Sequence, residues 1–320
     1  MAINIGRLSI KKTNDRYLFL GGFFFPILYV GALALADFKG NVFSNLSDFF
    51  SATIQIMLFS VLSYFIRYIR WSWLLSRAGH KVAFLEGILS YIAGFAFTVS
   101  PGKVGELYRI RYFTKLSVPP WLVISAFVYE RLLDLVVVLL LCTIFVVHGS
   151  ELTLVLWFVC SVFLLILILI SWPEIIEFPS KLLKSTGLFL KFSRIFKSGI
   201  TGIKIWANFV DISVGFALGL LAWLTTAFSF FWLLEGIGII LPMSMALSIY
   251  ALALLIGAAS FLPGGIGTTE AAIVFLLTMN GVMFDIALIA AVTIRVGTLW
   301  FSTLLGLACV LLLDARAAIR

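Results

Sequence analysis

The pentapeptide Pro101-Gly102-Lys103-Val104-Gly105 returns as Pro263-Gly264-Gly265-Ile266-Gly267, each time inside otherwise apolar sequence. Proline removes a backbone donor and glycine adds conformational freedom, so each copy interrupts the helix that leads into it. In hydrocarbon an open turn leaves unsatisfied peptide groups, so such a break must line a cavity or be buried in protein. The surroundings match as well. Trp-Leu-Leu-x-x-x-Gly precedes each copy, at Trp73 to Gly79 and at Trp232 to Gly238. A glutamate follows each (Glu106, Glu270), and then a lone arginine in a long apolar run (Arg131, Arg295). Paired breaks in the two halves of a chain are the sequence pointer to a transport site between inverted repeats.

Composition sets the class. The chain is 62% hydrophobic and 12% charged, with a mean hydropathy of +1.14. Apolar runs near the length of a bilayer span recur throughout, which predicts an all-α polytopic membrane protein. The net charge of +8 is read as topological, not as a nucleic-acid signal. Cys142, Cys160 and Cys309 all lie in apolar runs and read as small core residues. The first apolar run, Tyr17 to Ala36, is too long for a signal-peptide core and is expected to stay as a helix.

Full spans are predicted at 17–36, 49–70, 121–147, 152–172, 210–234 and 284–313, with two shorter apolar segments, 83–100 and 246–262, running into the breaks. Basic residues cluster at Arg7–Arg16, Arg67–Lys81, Lys103–Lys115, Lys181–Lys204 and Arg316–Arg320, whereas the remaining loops hold only Lys39. Were 83–100 a full span, the Lys103–Lys115 cluster would face the wrong side. The charge rule therefore favours a re-entrant hairpin, in along 83–100 and back along 103–116. A second hairpin enters along 246–262 from the opposite face and returns along 267–280. The expectation is six full spans plus two oppositely oriented re-entrant hairpins, in one transmembrane domain covering residues 1–320. Repeat 1 (49–147) and repeat 2 (210–313) flank a connecting span and a basic segment within 148–209. Both termini then lie in the cytoplasm. Within 173–204, lysines interleave with Leu182, Leu183, Leu188, Phe189 and Phe192. Such a stretch reads as an amphipathic helix on the anionic leaflet or as a solvated basic loop.

Several residues carry the candidate chemistry. Gly102, Gly105, Gly264, Gly265 and Gly267 are expected to bare backbone N–H groups to a cavity, where the half-helix N-termini favour an anion. Arg131 and Arg295 lie deep in their spans and need polar surroundings. Either grips a phosphate through its forked donors or forms a structural ion pair. Asp134 lies three residues from Arg131 and shares its helix face, while Glu130 is expected to meet another span. Arg295 has no near acid, which leaves Glu270 or Glu106 as its partner. These two glutamates read as arginine partners or as proton carriers. Lys103, Arg109 and Arg111 sit at the mouth of the first hairpin, where they recruit a headgroup or merely set topology. Glu86, Asp211 and Asp285 read as interfacial. No metal-ligand cluster, phosphate loop or nucleophile motif occurs, so no cofactor or metal is expected.

Ser100-Pro-Gly-Lys-Val-Gly-Glu-Leu-Tyr-Arg109, Tyr129-Glu-Arg-Leu-Leu-Asp134 and Leu262-Pro-Gly-Gly-Ile-Gly-Thr-Thr-Glu270 together resemble the membrane region of bacterial lysylphosphatidylglycerol synthase/flippases and their stand-alone relatives. The resemblance covers about residues 50–313. It implies lipid translocation. In two-domain relatives the membrane part flips an aminoacylated phospholipid made by a fused synthetase domain, a domain not expected here because the sequence ends at Arg320. The resulting expectation is a lipid flippase, without a catalytic domain of its own, in a bacterial-type cytoplasmic membrane. Its substrate would be an anionic phospholipid or polyprenyl-phosphate-linked lipid, its further partner a separate lipid-modifying enzyme. Two other classes stay open: an integral-membrane enzyme using Glu106 or Glu270 as base, and a scaffold for a synthase or glycosyltransferase.

Overall fold

The computed structural model describes residues 46–148 and 202–319, with two further helical positions, 31 and 161. The expected spans 17–36 and 152–172, and nearly all of the basic segment 173–204, lie outside the described residues. What is described is helical. Helix α1 is Leu46–Arg77, α2 is Phe84–Ala93, α3 is Ile110–Lys115 and α4 is Pro120–His148. Helix α5 is Phe209–Gly236, α6 is Met243–Ala259, α7 is Thr268–Met279, α8 is Phe284–Arg295 and α9 is Phe301–Ile319. Short 3₁₀ segments, Gly94–Phe97, Pro101–Arg109 and Pro263–Gly265, surround the two breaks, and a π-helical turn, Val296–Trp300, joins α8 to α9.

Among the described residues, three stretches are long and apolar enough to cross a membrane: Ser51–Arg77, Phe209–Gly236 and Phe284–Ala318. Helix α4 matches them in length at 29 residues and carries Glu130, Arg131 and Asp134 in its middle. On α1 the positions alternate in character at helical spacing. Ile54, Leu58, Leu62, Phe65 and Ile69 are exposed, while Thr53, Ile56, Ser60, Ser63, Arg67 and Arg70 are buried. A helix with its greasy stripe outside and its polar stripe inside is built for lipid surroundings and a polar interior. The helix is also longer than the apolar run 49–70 suggests, because it continues through Arg70 to Arg77.

Each break turns the chain back on itself. The 3₁₀ segment Gly94–Phe97 packs along Pro101–Arg109, and α2 touches α3, so the second arm runs back beside the first. In the second half α6 packs along α7 in the same way. The arms are short: α6 has 17 residues and α7 has 12, or about 26 and 18 Å against about 30 Å of hydrocarbon.

Up to its third residue the sequence repeat is also a repeat of backbone conformation. Ser100 and Leu262, before the prolines, adopt φ −71°, ψ 152° and φ −69°, ψ 146°. Gly102 and Gly264 then adopt φ 61°, ψ 16° and φ 61°, ψ 9°. Helices α1 and α5 end alike: His80 N–H donates to Leu75 C=O and Ile239 N–H to Leu234 C=O, across Gly79 and Gly238 at positive φ. That is the glycine-terminated closure satisfying the last carbonyls. The returning arms end alike too, with Val118 N–H to Phe113 C=O and Val282 N–H to Leu277 C=O, across Ser117 and Gly281.

Helices α1 and α5, which open the two halves, run antiparallel. Trp73 near the end of α1 donates to Asp211 at the start of α5 (3.1 Å), and Trp232 near the end of α5 donates to Gln55 near the start of α1 (2.7 Å). At mid-length Ser63 donates to the Ala222 carbonyl (2.9 Å). Two tryptophans from equivalent motifs thus each reach to the other's helix.

Candidate functional site

Both breaks and both deep arginines meet at one cavity. Its volume is about 350 Å³, within the range of small-molecule sites. Arg131 and Arg295 line it together, with Gly102, Lys103 and Glu106 from the first half and Gly264, Gly265 and Thr269 from the second. Helix α1 adds Ser60, Ser63, Tyr64 and Arg67, and α5 adds Trp223 and Thr226. Leu135, Val138, Leu254, Leu255, Ala258 and Leu262 supply an apolar flank, of which Ala258 and Leu262 are exposed. The two breaks lie against each other, because a Cβ on Gly264 would come within 3.4 Å of the Val99 backbone.

In the cavity wall and behind it the first half holds a dense ionic network. Arg70, fully buried, pairs with Glu130 at 3.2 Å and with Asp134 at 2.9 Å. Asp134 also takes Arg67 and Arg131, each at 3.2 Å. Arg109 pairs with Glu106 at 2.7 Å and lies 3.8 Å from Glu130. Its guanidinium is stacked among Trp71, Tyr91 and Phe95. This packing explains Gly94, where a Cβ would meet the Arg109 side chain at 2.7 Å. Glu106 further accepts from Thr98 (3.0 Å), which ties the carboxylate to the incoming arm.

The second half is simpler. Arg295 donates through Nε to Glu270 (2.8 Å) and through Nη2 to the Gly264 carbonyl. The other Glu270 oxygen accepts from the Gly267 N–H (2.7 Å), capping α7. One guanidinium therefore pins the turn and the start of its returning arm together.

The two halves differ in charge. Arg67, Arg70, Lys103, Arg109, Arg131 and Arg295 stand against Glu106, Glu130, Asp134 and Glu270, six cations to four carboxylates among the described residues of the cavity and its network. The excess lies in the first half, since Arg295 and Glu270 balance. Lys103 makes no ion pair or hydrogen bond through its side chain among the described residues, and Arg131 has an Nε with no hydrogen-bond partner. Arg131 is 22% exposed in its side chain while Arg295 is 4% exposed. Arg131 thus keeps more free donor capacity than Arg295.

The expected residues are distributed as follows. Arg131, Arg295, Glu106, Lys103, Gly102, Gly264 and Gly265 line the cavity. Glu270, Gly105 and Gly267 stand behind it, in the turns. Arg109 is not at a solvent mouth: it is 0% exposed, and the stacked aromatics hold it in the network. Arg111 points away from the cavity, to Asp314 on α9 at 3.2 Å and to the Tyr108 hydroxyl. Glu106 is not the partner of Arg295, since Arg109 takes it. The breaks also bare fewer N–H groups than expected. Lys103 N–H goes to the Ser100 carbonyl, Gly105 N–H to the Ser100 hydroxyl (2.6 Å), and Gly265 N–H to the Leu262 carbonyl. Side-chain cations, not peptide groups, therefore dominate the cavity's polarity. Arg67 and Arg70 were counted in the sequence as basic flank, yet both are buried and paired. Their signal was the polar stripe Ser60, Ser63, Arg67, Arg70 at three- and four-residue spacing.

Comparison with known proteins gives one family. The family described as "Lysylphosphatidylglycerol synthase TM region" matches residues 18–306, most of the chain. A curated relative described as "UPF0104 membrane protein", from Methanothermobacter thermautotrophicus, is 33% identical over 113 residues, a stretch covering 34% of this chain and 34% of that protein. The match thus spans about a third of that relative's length. No solved structure matches.

Proposed function

The chain belongs to the lysylphosphatidylglycerol synthase transmembrane-region family, and from that premise we propose that it is a lipid flippase, moving an anionic-headgroup lipid between the leaflets of a cytoplasmic membrane. The observation that carries the reading is the cavity where both breaks converge. It joins an excess of positive charge to an apolar flank reaching the surface, which suits a molecule with a charged head and a greasy tail. The head would lie against Arg131, Arg67 and Lys103. Arg295, pinned to Glu270 and Gly264, would shape the opposite wall. The tails would stay in the bilayer beside Ala258 and Leu262.

The chain is taken as one transmembrane domain whose halves are inverted copies, with both hairpins re-entrant and both termini cytoplasmic. The antiparallel α1–α5 pair and the matched closures support that reading. Each half then presents its break to one leaflet, and rocking one half against the other would expose the cavity alternately. A separate lipid-modifying enzyme remains the natural supplier or user of the moved lipid. The enzymatic alternative fits less well. Glu106 is held by Arg109 and Thr98, and Glu270 by Arg295 and the Gly267 N–H, so neither is free to take a proton from a substrate.

The test is reconstitution into liposomes with a headgroup-accessible fluorescent anionic lipid in both leaflets. Wild type is expected to let a membrane-impermeant quencher reach the whole pool, and Arg131→Ala to slow this at least tenfold. Product formation without exchange between leaflets would overturn the proposal.

A further inference from the structure

Lys103 occupies an uncomfortable backbone position. Its φ is 56° and its ψ 21°, in the left-handed region where the equivalent residue of the second break is Gly265, at φ 64°. A side chain with a Cβ is strained there, and such strain persists where the surroundings impose it for a reason. The second break takes the left-handed φ at this position with glycine, and only beyond it do the two differ, Ile266 being extended and Gly267 at φ 84° where the first break continues in its 3₁₀ segment. The first break carries an ammonium there and directs it to the cavity.

The charge count gives that ammonium a meaning. Among the described residues, each carboxylate of the cavity and its network is already paired with an arginine. Among the described residues the two positive charges in excess fall in the first half, where Lys103, Arg67 and Arg131 border the same space. A partly dehydrated site with two uncompensated charges is poorly stable until an anion of matching charge enters. A phosphate diester brings one negative charge. A phosphate monoester brings nearly two at neutral pH, since its second ionisation lies near pH ~6. It also has three terminal oxygens for one ammonium and two guanidinium groups.

We propose that the cavity selects lipids whose headgroup ends in a phosphate monoester, and that Lys103, held in its left-handed conformation, is the residue that distinguishes monoester from diester. This deepens the transport reading and rests on it for the membrane context, but selection is measurable by binding alone. The other ionisable groups facing the phosphate are Arg67, Arg131, Arg295, Glu106, Asp134, Tyr64 and Tyr250.

The experiment is equilibrium binding to the purified full chain in detergent, with three probes: dihexanoyl phosphatidic acid, dihexanoyl phosphatidylglycerol and inorganic phosphate. The expected result at pH 8 is at least tenfold tighter binding of the phosphatidic acid than of either other probe. Between pH 8 and pH 5 that preference should shrink severalfold, as the monoester gains its second proton while the diester does not. Lys103→Gly should reduce the preference to about twofold or less while raising thermal stability or leaving it unchanged. Ser117→Gly is the control: Ser117 is also left-handed, at φ 61°, but does not line the cavity. It should keep the preference intact. Equal binding of the two lipids by wild type would overturn the proposal, as would a Lys103→Gly chain that keeps the full preference. Inorganic phosphate binding as tightly as the lipid would overturn the lipid part. Selective binding without movement between leaflets would uphold the selection and defeat the transport reading. Movement of both lipids at equal rates after equal binding would do the reverse.

Discussion

At the scale of single residues, Arg70 and Arg131 both contact Asp134 but sit in different surroundings. Arg70 is wholly buried, and its charge is met by Glu130 and Asp134. Removing it leaves fully buried Glu130 with only Arg109, 3.8 Å away, and takes from Asp134 the nearest of its three arginines, a loss of about 3–5 kcal/mol. Arg70→Ala is therefore expected to lower the thermal midpoint in detergent sharply and to reduce folded yield. Arg131→Ala removes a side chain that shares Asp134 with two other arginines, so the midpoint should move little while transport falls. A chain in which both substitutions unfold the protein equally would contradict this division. The sequence carried part of this. The Asp134 contact of Arg131 follows from three-residue spacing; the lack of any nearer acid left Glu270 or Glu106 for Arg295, and the structure pairs it with Glu270. The roles of Arg67 and Arg70 did not follow. A count of basic residues beside an apolar run says which side a loop prefers, but not which face of the helix an arginine occupies. That answer needs the register of Ser60 and Ser63 one and two turns earlier.

At the scale of elements, glycines matter where backbones meet. Gly306 on α9 lies against the first hairpin so closely that a Cβ would sit 2.2 Å from the Ala96 nitrogen, a backbone atom that cannot swing aside. Gly267 has open space around its missing Cβ but a φ of 84°. Gly306→Ala should push α9 off the hairpin, whereas Gly267→Ala should cost only about 1–3 kcal/mol of local strain. Limited proteolysis reads the difference: faster cleavage near Gly102 in the Gly306 variant, and unchanged cleavage there in the Gly267 variant. Gly306→Ala with wild-type protection would show that the hairpin holds without α9. The breaks themselves were legible from the sequence, because Pro-Gly in apolar surroundings has few other uses. The self-satisfied turns were not, because the Ser100 hydroxyl that takes the Gly105 N–H lies one residue before the repeated motif and has no counterpart in Leu262.

At the scale of the whole molecule, the reciprocal tryptophan contacts make a prediction about sides of the membrane. If each hairpin returns to the face it left, the loop before α2 and the loop after α3 open to one face, and the loops around α6 and α7 open to the other. Lys81 and Lys115 mark the first pair, and Ile240 and Met283 the second. All four are exposed, Ile240 at 97%. Single cysteines at these positions, in a background with Cys142, Cys160 and Cys309 replaced, should label from opposite sides by pairs. Lys81→Cys and Lys115→Cys should react with an impermeant maleimide only from the cytoplasm, and Ile240→Cys and Met283→Cys only from outside. Continuous spans through Pro101 and Pro263 would instead split each pair. That result would place the basic cluster Lys103–Lys115 outside, leave the two breaks unrelated by inversion, and remove the basis for a cavity that opens to each leaflet in turn. The pairing is decided by how the arms pack and by charge acting together. Charge alone favoured the fold-back in the first half, where Lys103, Arg109, Arg111 and Lys115 weigh on it. The second half has no such residues between Pro263 and Met283, so there the repeat, and the packing of α6 along α7 that it implies, carries the argument.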